Sequence, residues 1–324
     1  MIKSVIALMS LQERLTLYET PKLIKSPLLN DPCRELPSWR EASLDLQNEK
    51  KPQELVAKAK EFILTKMPKD LLIEEAAEYA EIAHGEKIRK VSGRPYVLHP
   101  FDTAFIVSQI SQDSNLIATA LCHDIVEDSP TDTFGNRIYT LDNIENKFNN
   151  KITYLVEKLT SAEPYGEIPK KGTEEYYFYW RNKKQTALDK VITSHEAILV
   201  KTADNLSNVH DFLCDRILLD EDGKRLGSKV FDNFSVSKTA QLGRFTYSSI
   251  LLSNEYRKLE NRENPLAYAL IEKVKLLIQN TMAESIDDQD SQTYSALYND
   301  WIRSLEREQE VIRGGISEEE KNKN

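Results

Sequence analysis

A chain of 324 residues, 29% charged and 40% hydrophobic, is long enough to bury a sizeable core in one large domain or two. Its formal net charge of −9 argues against a general nucleic-acid binder, which would present a basic surface. No apolar run reaches membrane-spanning length, so no membrane association is expected.

The first 55 residues read as a poorly patterned N-terminal extension, punctuated by Pro21, Pro27, Pro32 and Pro37. Met1 to Met9 has the look of a signal peptide, but the apolar run is short. Gln12-Glu13-Arg14 follow it without a small-residue cleavage site, so export is not expected. Helical periodicity begins near Leu55 and is strong over Leu71–Ala83, where Ala76, Ala77, Ala80 and Ala83 add helix propensity. Gly93-Arg94-Pro95 breaks the pattern, and the spacing then predicts helices at about 102–111 and 115–128. After a polar loop, Ser129 to Tyr139, Thr140 is a plausible N-cap for a helix at about 141–148, and another covers roughly 151–160. Helices at about 173–193 and 196–212 follow a loop containing Pro164, Gly166, Pro169 and Gly172. Beyond the turn at Asp220–Lys224, helices are expected at about 234–258, 264–282 and 292–311, ahead of a disordered tail. With only 10 Gly and 12 Pro and almost no strand signal, the expected fold class is all-α. The expected organisation is an N-terminal extension 1–55, a core domain 56–215, a C-terminal helical region 216–312 and a tail 313–324.

The three cysteines, Cys33, Cys122 and Cys214, are scattered and form no CxxC. They indicate neither a disulfide framework nor a thiolate zinc site, and fit a reducing cytoplasm. The chemistry concentrates instead in Cys122-His123-Asp124-Ile125-Val126-Glu127-Asp128, which sets four ionisable groups against an apolar helical run. Positions four apart share a helix face, pairing His123 with Glu127 and Asp124 with Asp128. Burying such groups unpartnered would cost roughly several kcal/mol for each ion, and a divalent cation is the economical remedy. His123 and Asp124 would then hold the ion, and Glu127 and Asp128 would handle a water molecule. His99, in Tyr96-Val97-Leu98-His99-Pro100, and Asp204, following the apolar Ala197–Val200 and sharing a face with Asn208, complete a set. His99, His123, Asp124 and Asp204 give two imidazoles and two carboxylates from three separate helices, a donor set suited to Mn²⁺, Fe²⁺ or Zn²⁺. Lys87, Arg89, Lys90 and Arg94 precede the His99 loop, and beside a metal ligand on an acidic protein they suggest phosphate recognition.

Taken in order, Ala83-His84, Arg89-Lys90, Gly93-Arg94-Pro95-Tyr96, His99-Pro100, His123 to Asp128 and Lys201 to Asn208 resemble the hydrolase domain of RelA/SpoT-type enzymes. These form a branch of the HD-domain metal-dependent phosphohydrolases, and the likeness covers roughly residues 60–215. The resemblance implies an all-α HD-domain helical fold with additional C-terminal helices, in a stand-alone small alarmone hydrolase. It implies hydrolysis of the 3′-pyrophosphate of (p)ppGpp to GDP or GTP and pyrophosphate. By the same resemblance Mn²⁺ is held by His99, His123, Asp124 and Asp204, Glu127 and Asp128 are catalytic, and Arg89, Lys90, Ser92 and Asn208 contact substrate. Two departures stand out: Val91 is an extra residue before Ser92-Gly93, and Asn205 and Ser207 replace an Arg and a His common in the family.

These departures leave open another nucleotide substrate, such as an adenosine alarmone or NADPH. A third reading is an antitoxin-like partner of an alarmone synthetase. Expected partners are therefore a small nucleotide, an alarmone synthetase as functional counterpart, and a second copy of the chain in a homo-oligomer; the expected location is cytoplasmic.

Overall fold

The computed structural model describes residues 52–90, 93–161, 167–215 and 234–258, together with a few single positions, among them Gly223, Phe231 and Ile271. Nine helices are described: α1 (Pro52–Lys66), α2 (Leu71–His84), α3 (Leu98–Ser108), α4 (Ser114–Cys122), α5 (Leu141–Lys147), α6 (Asn150–Leu159), α7 (Glu174–Val191), α8 (His195–Asp215) and α9 (Lys238–Lys258). Among the described residues there is no strand, only the isolated antiparallel bridges Ile88–Pro95 and Thr131–Arg137. The fold is all-α. The expected helices at 264–282 and 292–311 and the tail lie outside the described residues, as do residues 1–51.

Short polar side chains set the helix starts. Asp70, Asp113, Asn149 and Thr173 each accept a hydrogen bond from a free N–H of the first turn of α2, α4, α6 and α7. Thr140 and Asn143 bond each other's backbone N–H in a capping box at the start of α5. Ser237 Oγ accepts from Ala240 N at 3.2 Å, so α9 opens at 238 rather than at the expected 234. At the far end of α2, Gly85 (φ 48°) donates its N–H to Glu81 O, a left-handed turn that favours glycine.

Two boundaries differ from expectation in ways that shape the site. The third helix starts at Leu98, not near 102, because Pro100 sits in the first turn, where a missing N–H costs nothing. All eleven of its residues are buried, so His99 enters on a fully enclosed helix. Helix α4 ends at Cys122 instead of running to 128. Past it, Ile125 N bonds Cys122 O and Asp128 N bonds Asp124 O in consecutive turns. Ser129-Pro130 then rules out further helix. The acidic cluster is therefore carried on a tight run of turns.

At the centre, α3, α4 and α8 pack against one another; α1 covers α3, α2 covers α4, and α6 packs on α4 and α8. Helix α9 lies on α8, and its Leu242, Phe245, Leu252 and Tyr256 join the same hydrophobic core as Ile63, Ile106, Ile117 and Ile198. Residues 52–55 are likewise helical, and Leu55 is in that core. One core thus spans both of the boundaries drawn from sequence at 55 and 215. No described helix is long and apolar enough to cross a membrane. Ile106 on α3 is fully enclosed, so Ile106→Ala should destabilise the fold by about 2–5 kcal/mol, read as a lowered urea midpoint at unchanged slope.

Candidate metal centre

Three helices deliver the ligand set. His99 comes from the first turn of α3, His123 from the residue closing α4, and Asp204 from the middle of α8. His99 and His123 are each 2% exposed and Asp204 3%. His99 Nε2 lies 3.1 Å from Asp204 Oδ1 and 3.5 Å from Asp124 Oδ2; His123 Nε2 lies 3.2 Å from Asp124 Oδ2 and 3.8 Å from Asp204 Oδ1. The ligand atoms of His99, His123 and Asp124 all fall within 4.8 Å of one another. The structure thus brings together all four residues proposed as ligands from sequence.

Surrounding groups fix the orientation of each. His123 Nδ1 donates to Ala120 O at 2.8 Å, and His99 Nδ1 shares a hydrogen bond with Ser207 Oγ at 2.9 Å. Both rings therefore present Nε2 to the cluster, as metal-ligating histidines do. Tyr96 Oη donates to Asp124 Oδ2 (2.7 Å), Asn208 Nδ2 to Asp204 Oδ1 (2.6 Å), and Lys201 Nζ to Asp204 Oδ2 (2.5 Å). His123 Nε2, by contrast, is fully buried with no hydrogen-bond partner. A buried ring nitrogen without a partner, facing two carboxylates, fits a divalent cation, and the mixed N/O donors suit one of intermediate softness.

The electrostatics point the same way. Burial opposes charge on His123, but Asp124 and Asp204 outweigh it and push its pKa up to about 9. His99 goes the other way: burial dominates and holds the ring neutral. Burial alone would raise the carboxylate of Asp204, yet Lys201 and the two histidines hold it far below the usual range. The two carboxylates thus favour positive charge at this point, as they would a cation.

Beside the ligands stand the two acids. Glu127 is pinned at both oxygens, by Lys184 Nζ at 3.6 Å and Ser161 N–H at 3.1 Å. Asp128 Oδ2 lies 2.5 Å from Lys87 Nζ, and Lys87 also sits 4.1 Å from the centre of the Tyr96 ring. Burial and the neighbouring Asp124 raise the pKa of Asp128, whereas Lys184 overcomes the burial of Glu127 and lowers its pKa. Environments that push two carboxylates apart in this way suit a division of acid–base roles.

The residues read as substrate contacts divide. Arg89 and Asn208 come together: Arg89 Nη2 donates to Asn208 Oδ1 at 3.3 Å and ion-pairs with Asp211, which also meets Arg94 at 3.6 Å. Backbone hydrogen bonds from Arg89 N to Arg94 O and from Tyr96 N to Lys87 O set Arg89 there, with Gly93 at φ 68°. Lys90 instead lies on the exposed side, 6.0 Å from the Phe234 ring, and Ser92 lies outside the described residues. Asn205 and Ser207 serve the scaffold: Asn205 Nδ2 donates to Ser248 Oγ of α9 (2.8 Å), and Ser207 backs His99. Tyr96 and Lys184 were not assigned roles from sequence, whereas Lys201 was read only as a cation that could pair with Asp204, as it does. Tyr96 and Lys201 lay inside the quoted motifs, but Lys184 carried no local signal.

Residues 76–234 match the family model of the HD domain. Over 137 residues it is 34% identical to a guanosine-3′,5′-bis(diphosphate) 3′-pyrophosphohydrolase of Aquifex aeolicus, a match covering 42% of this chain and 17% of that protein. A GTP pyrophosphokinase, rsh, of Brucella ovis is 31% identical over 140 residues, covering 43% and 17%. The chain thus spans about a sixth of the length of these curated relatives. A solved structure, described as a metazoan ortholog of SpoT that hydrolyses ppGpp, aligns with a TM-score of 0.44 at 18% identity, covering 63% of this chain and 94% of that one.

With the His123 pKa near 9 in the ion-free protein, a bound cation must displace a proton. Affinity for Mn²⁺ should therefore rise about tenfold per pH unit below pH 9 and level off above it. Calorimetry in buffers of different ionisation enthalpy should count about one proton released; no release would disprove the cluster as drawn. His84, buried beside Tyr96 (5.1 Å between ring centres), has its pKa lowered by burial from 6.5 to about 3. The unfolded chain then binds the extra proton, so this contribution is complete above pH 6.5 and is lost as pH falls toward 3. Going from pH 7 to pH 5, the wild type should lose about 2 kcal/mol more than His84→Leu in denaturant titrations.

Proposed function

We propose that this chain is a metal-dependent phosphohydrolase that removes the 3′-diphosphate of (p)ppGpp as pyrophosphate, leaving GDP or GTP, with Mn²⁺ as its cation. The observation that carries this is the buried His99–His123–Asp124–Asp204 cluster with the Glu127–Asp128 pair against it, set in the HD domain. The likeness to a protein named a guanosine-3′,5′-bis(diphosphate) 3′-pyrophosphohydrolase supports the substrate.

A cation held by the four ligands would lower the pKa of water and draw charge from phosphate oxygens. The chain's own groups do the rest. Asp128, whose pKa is raised by burial and by Asp124, is the better proton acceptor for an attacking water. Glu127, anchored by Lys184 and Ser161, orients that water. The water oxygen bonds to the phosphorus on the 3′-oxygen, the phosphorus–oxygen ester bond breaks, and the ribose 3′-oxygen takes up a proton. Arg89, held on Asn208 and Asp211 and lying 5.4 Å from the centre of the Tyr96 ring, offers one charged edge to the nucleotide. Asn205 and Ser207, whose identities had left another nucleotide open, are committed to Ser248 and His99 and so carry no argument about the base.

Incubation with ppGpp and Mn²⁺ should release GDP and pyrophosphate, resolved by anion-exchange chromatography; inorganic phosphate, or no turnover, would refute the assignment. Asp124→Ala should lose both ion binding and turnover. Glu127→Gln and Asp128→Asn should keep the ion yet slow hydrolysis by roughly 10²–10⁴, the range for a positioned acid–base group.

A further inference from the structure

Tyr96 touches both halves of the centre. The antiparallel bridge between Ile88 and Pro95, with Tyr96 N bonding Lys87 O at 2.7 Å and Arg89 N bonding Arg94 O at 2.8 Å, lays the two segments edge to edge. Alternate residues of an extended segment share a side, so Lys87 and Arg89 both turn toward Tyr96, while Ile88 between them is 60% exposed. Lys87 Nζ then lies 4.1 Å, and the Arg89 guanidinium 5.4 Å, from the centre of the Tyr96 ring. Both are close enough for the ring to attract a cation. His84 and His99 pack on the same ring, at 5.1 and 5.8 Å between centres, so it has little freedom to turn.

The hydroxyl at the tip of this ring donates to Asp124 Oδ2 at 2.7 Å. That oxygen is also the one that faces both imidazoles, 3.5 Å from His99 Nε2 and 3.2 Å from His123 Nε2. The hydroxyl therefore holds the ligand atom itself, and a carboxylate oxygen has lone pairs for a hydroxyl and an ion together. The cations on the ring lead elsewhere: Lys87 to Asp128 Oδ2 at 2.5 Å, Arg89 to Asn208 Oδ1 at 3.3 Å. A phenylalanine here would keep the cations but leave Asp124 unbraced, and an aliphatic side chain would do neither.

We propose that Tyr96 is a positioning residue with two separable tasks: its hydroxyl sets Asp124 for the ion, and its ring sets Lys87 and Arg89 for the anionic substrate. The inference rests on reading the centre as a metal-dependent phosphohydrolase site, and it makes one side chain the joint between ion binding and nucleotide binding.

Mn²⁺ and GDP titrated in turn into the protein test both tasks without turnover. Tyr96→Phe should weaken Mn²⁺ binding by about 10- to 100-fold, the usual cost of losing a partner behind a metal ligand. The affinity of the Mn²⁺-saturated variant for GDP should stay within about twofold of the wild type. Tyr96→Leu should lose as much Mn²⁺ affinity and, in addition, about tenfold in GDP affinity as the cations lose their aromatic face. Pentafluorophenylalanine at position 96 keeps the shape of the ring but not the negative charge of its face. It should bind Mn²⁺ as the phenylalanine variant does and GDP as the leucine variant does, and it reads the ring's task should the leucine variant fail to fold. Unchanged Mn²⁺ affinity in Tyr96→Phe, or GDP affinity that is the same with and without an electron-rich ring, would overturn the proposal, as would a wild-type protein that does not bind GDP. Failure to hydrolyse ppGpp with these binding differences intact would sink the substrate assignment and leave this one standing.

Discussion

Everything near the site follows from the need to keep two carboxylates and two imidazoles inside an apolar core. His99, His123 and Asp204 stand among Phe101, Ile117, Leu121, Ile198 and Val200, all of them buried. Unpaired ions there would cost several kcal/mol each, so each ligand must be compensated. The compensation is detailed. Ala120 O and Ser207 hold the two rings, Tyr96 and Asn208 hold the carboxylates, and Lys201 takes the far oxygen of Asp204. His123 Nε2, the one ring nitrogen left over, faces the carboxylates. A scaffold that braces the back of each of these side chains but leaves this front open fits a cation.

The same constraint explains why the cations are paired rather than displayed. Lys87, Lys184 and Lys201 each meet a carboxylate of the cluster or of the acidic pair, so the pocket holds its basic groups in place before any substrate arrives. Pairing also separates Glu127 from Asp128. The first, held at both oxygens, has its pKa lowered by Lys184. The second, with a single ion pair and Asp124 close by, is the one whose proton affinity is raised. Adjacent residues with the same functional group thereby acquire different chemistry from their neighbours alone.

The four candidate ligands stood out in the sequence because each member breaks an apolar helical pattern, and a charge in such a run needs a reason. Their neighbours did not. From Thr202 to Ser207 every residue of α8 is buried, so periodicity offers no outward face. Asn205 and Ser207 then read equally well as substrate contacts or as scaffold. Tertiary packing decides: α9 lies against Asn205 and α3 against Ser207. Helix α4 was overextended because the apolar run continues through Ile125 and Val126, although the chain there has already changed to consecutive turns. Those two side chains still reach the core, which is why the pattern persisted past the helix end. The expected start of α3 failed for the opposite reason, since a proline that breaks a helix interior is harmless in its first turn.

Helix α9 shows how far the site reaches beyond its motifs. Sequence placed it in a separate C-terminal region because the turn at Asp220–Lys224 reads as a domain edge and the family likeness ends near residue 215. Yet Phe245 and Leu252 fill the common core, and Ser248 bonds the residue that follows Asp204. A hydrogen bond between two enclosed side chains is costly to break, since each partner would be left unsatisfied away from water. It therefore fixes the register of α9 against α8. The candidate ligands come from segments that share a motif order, whereas Ser248, which holds the residue next to Asp204, comes from a helix that no motif marks. A centre of this kind is assembled by packing: the motif carries the candidate ligand side chains, and a helix outside the motif fixes the register in which they are held.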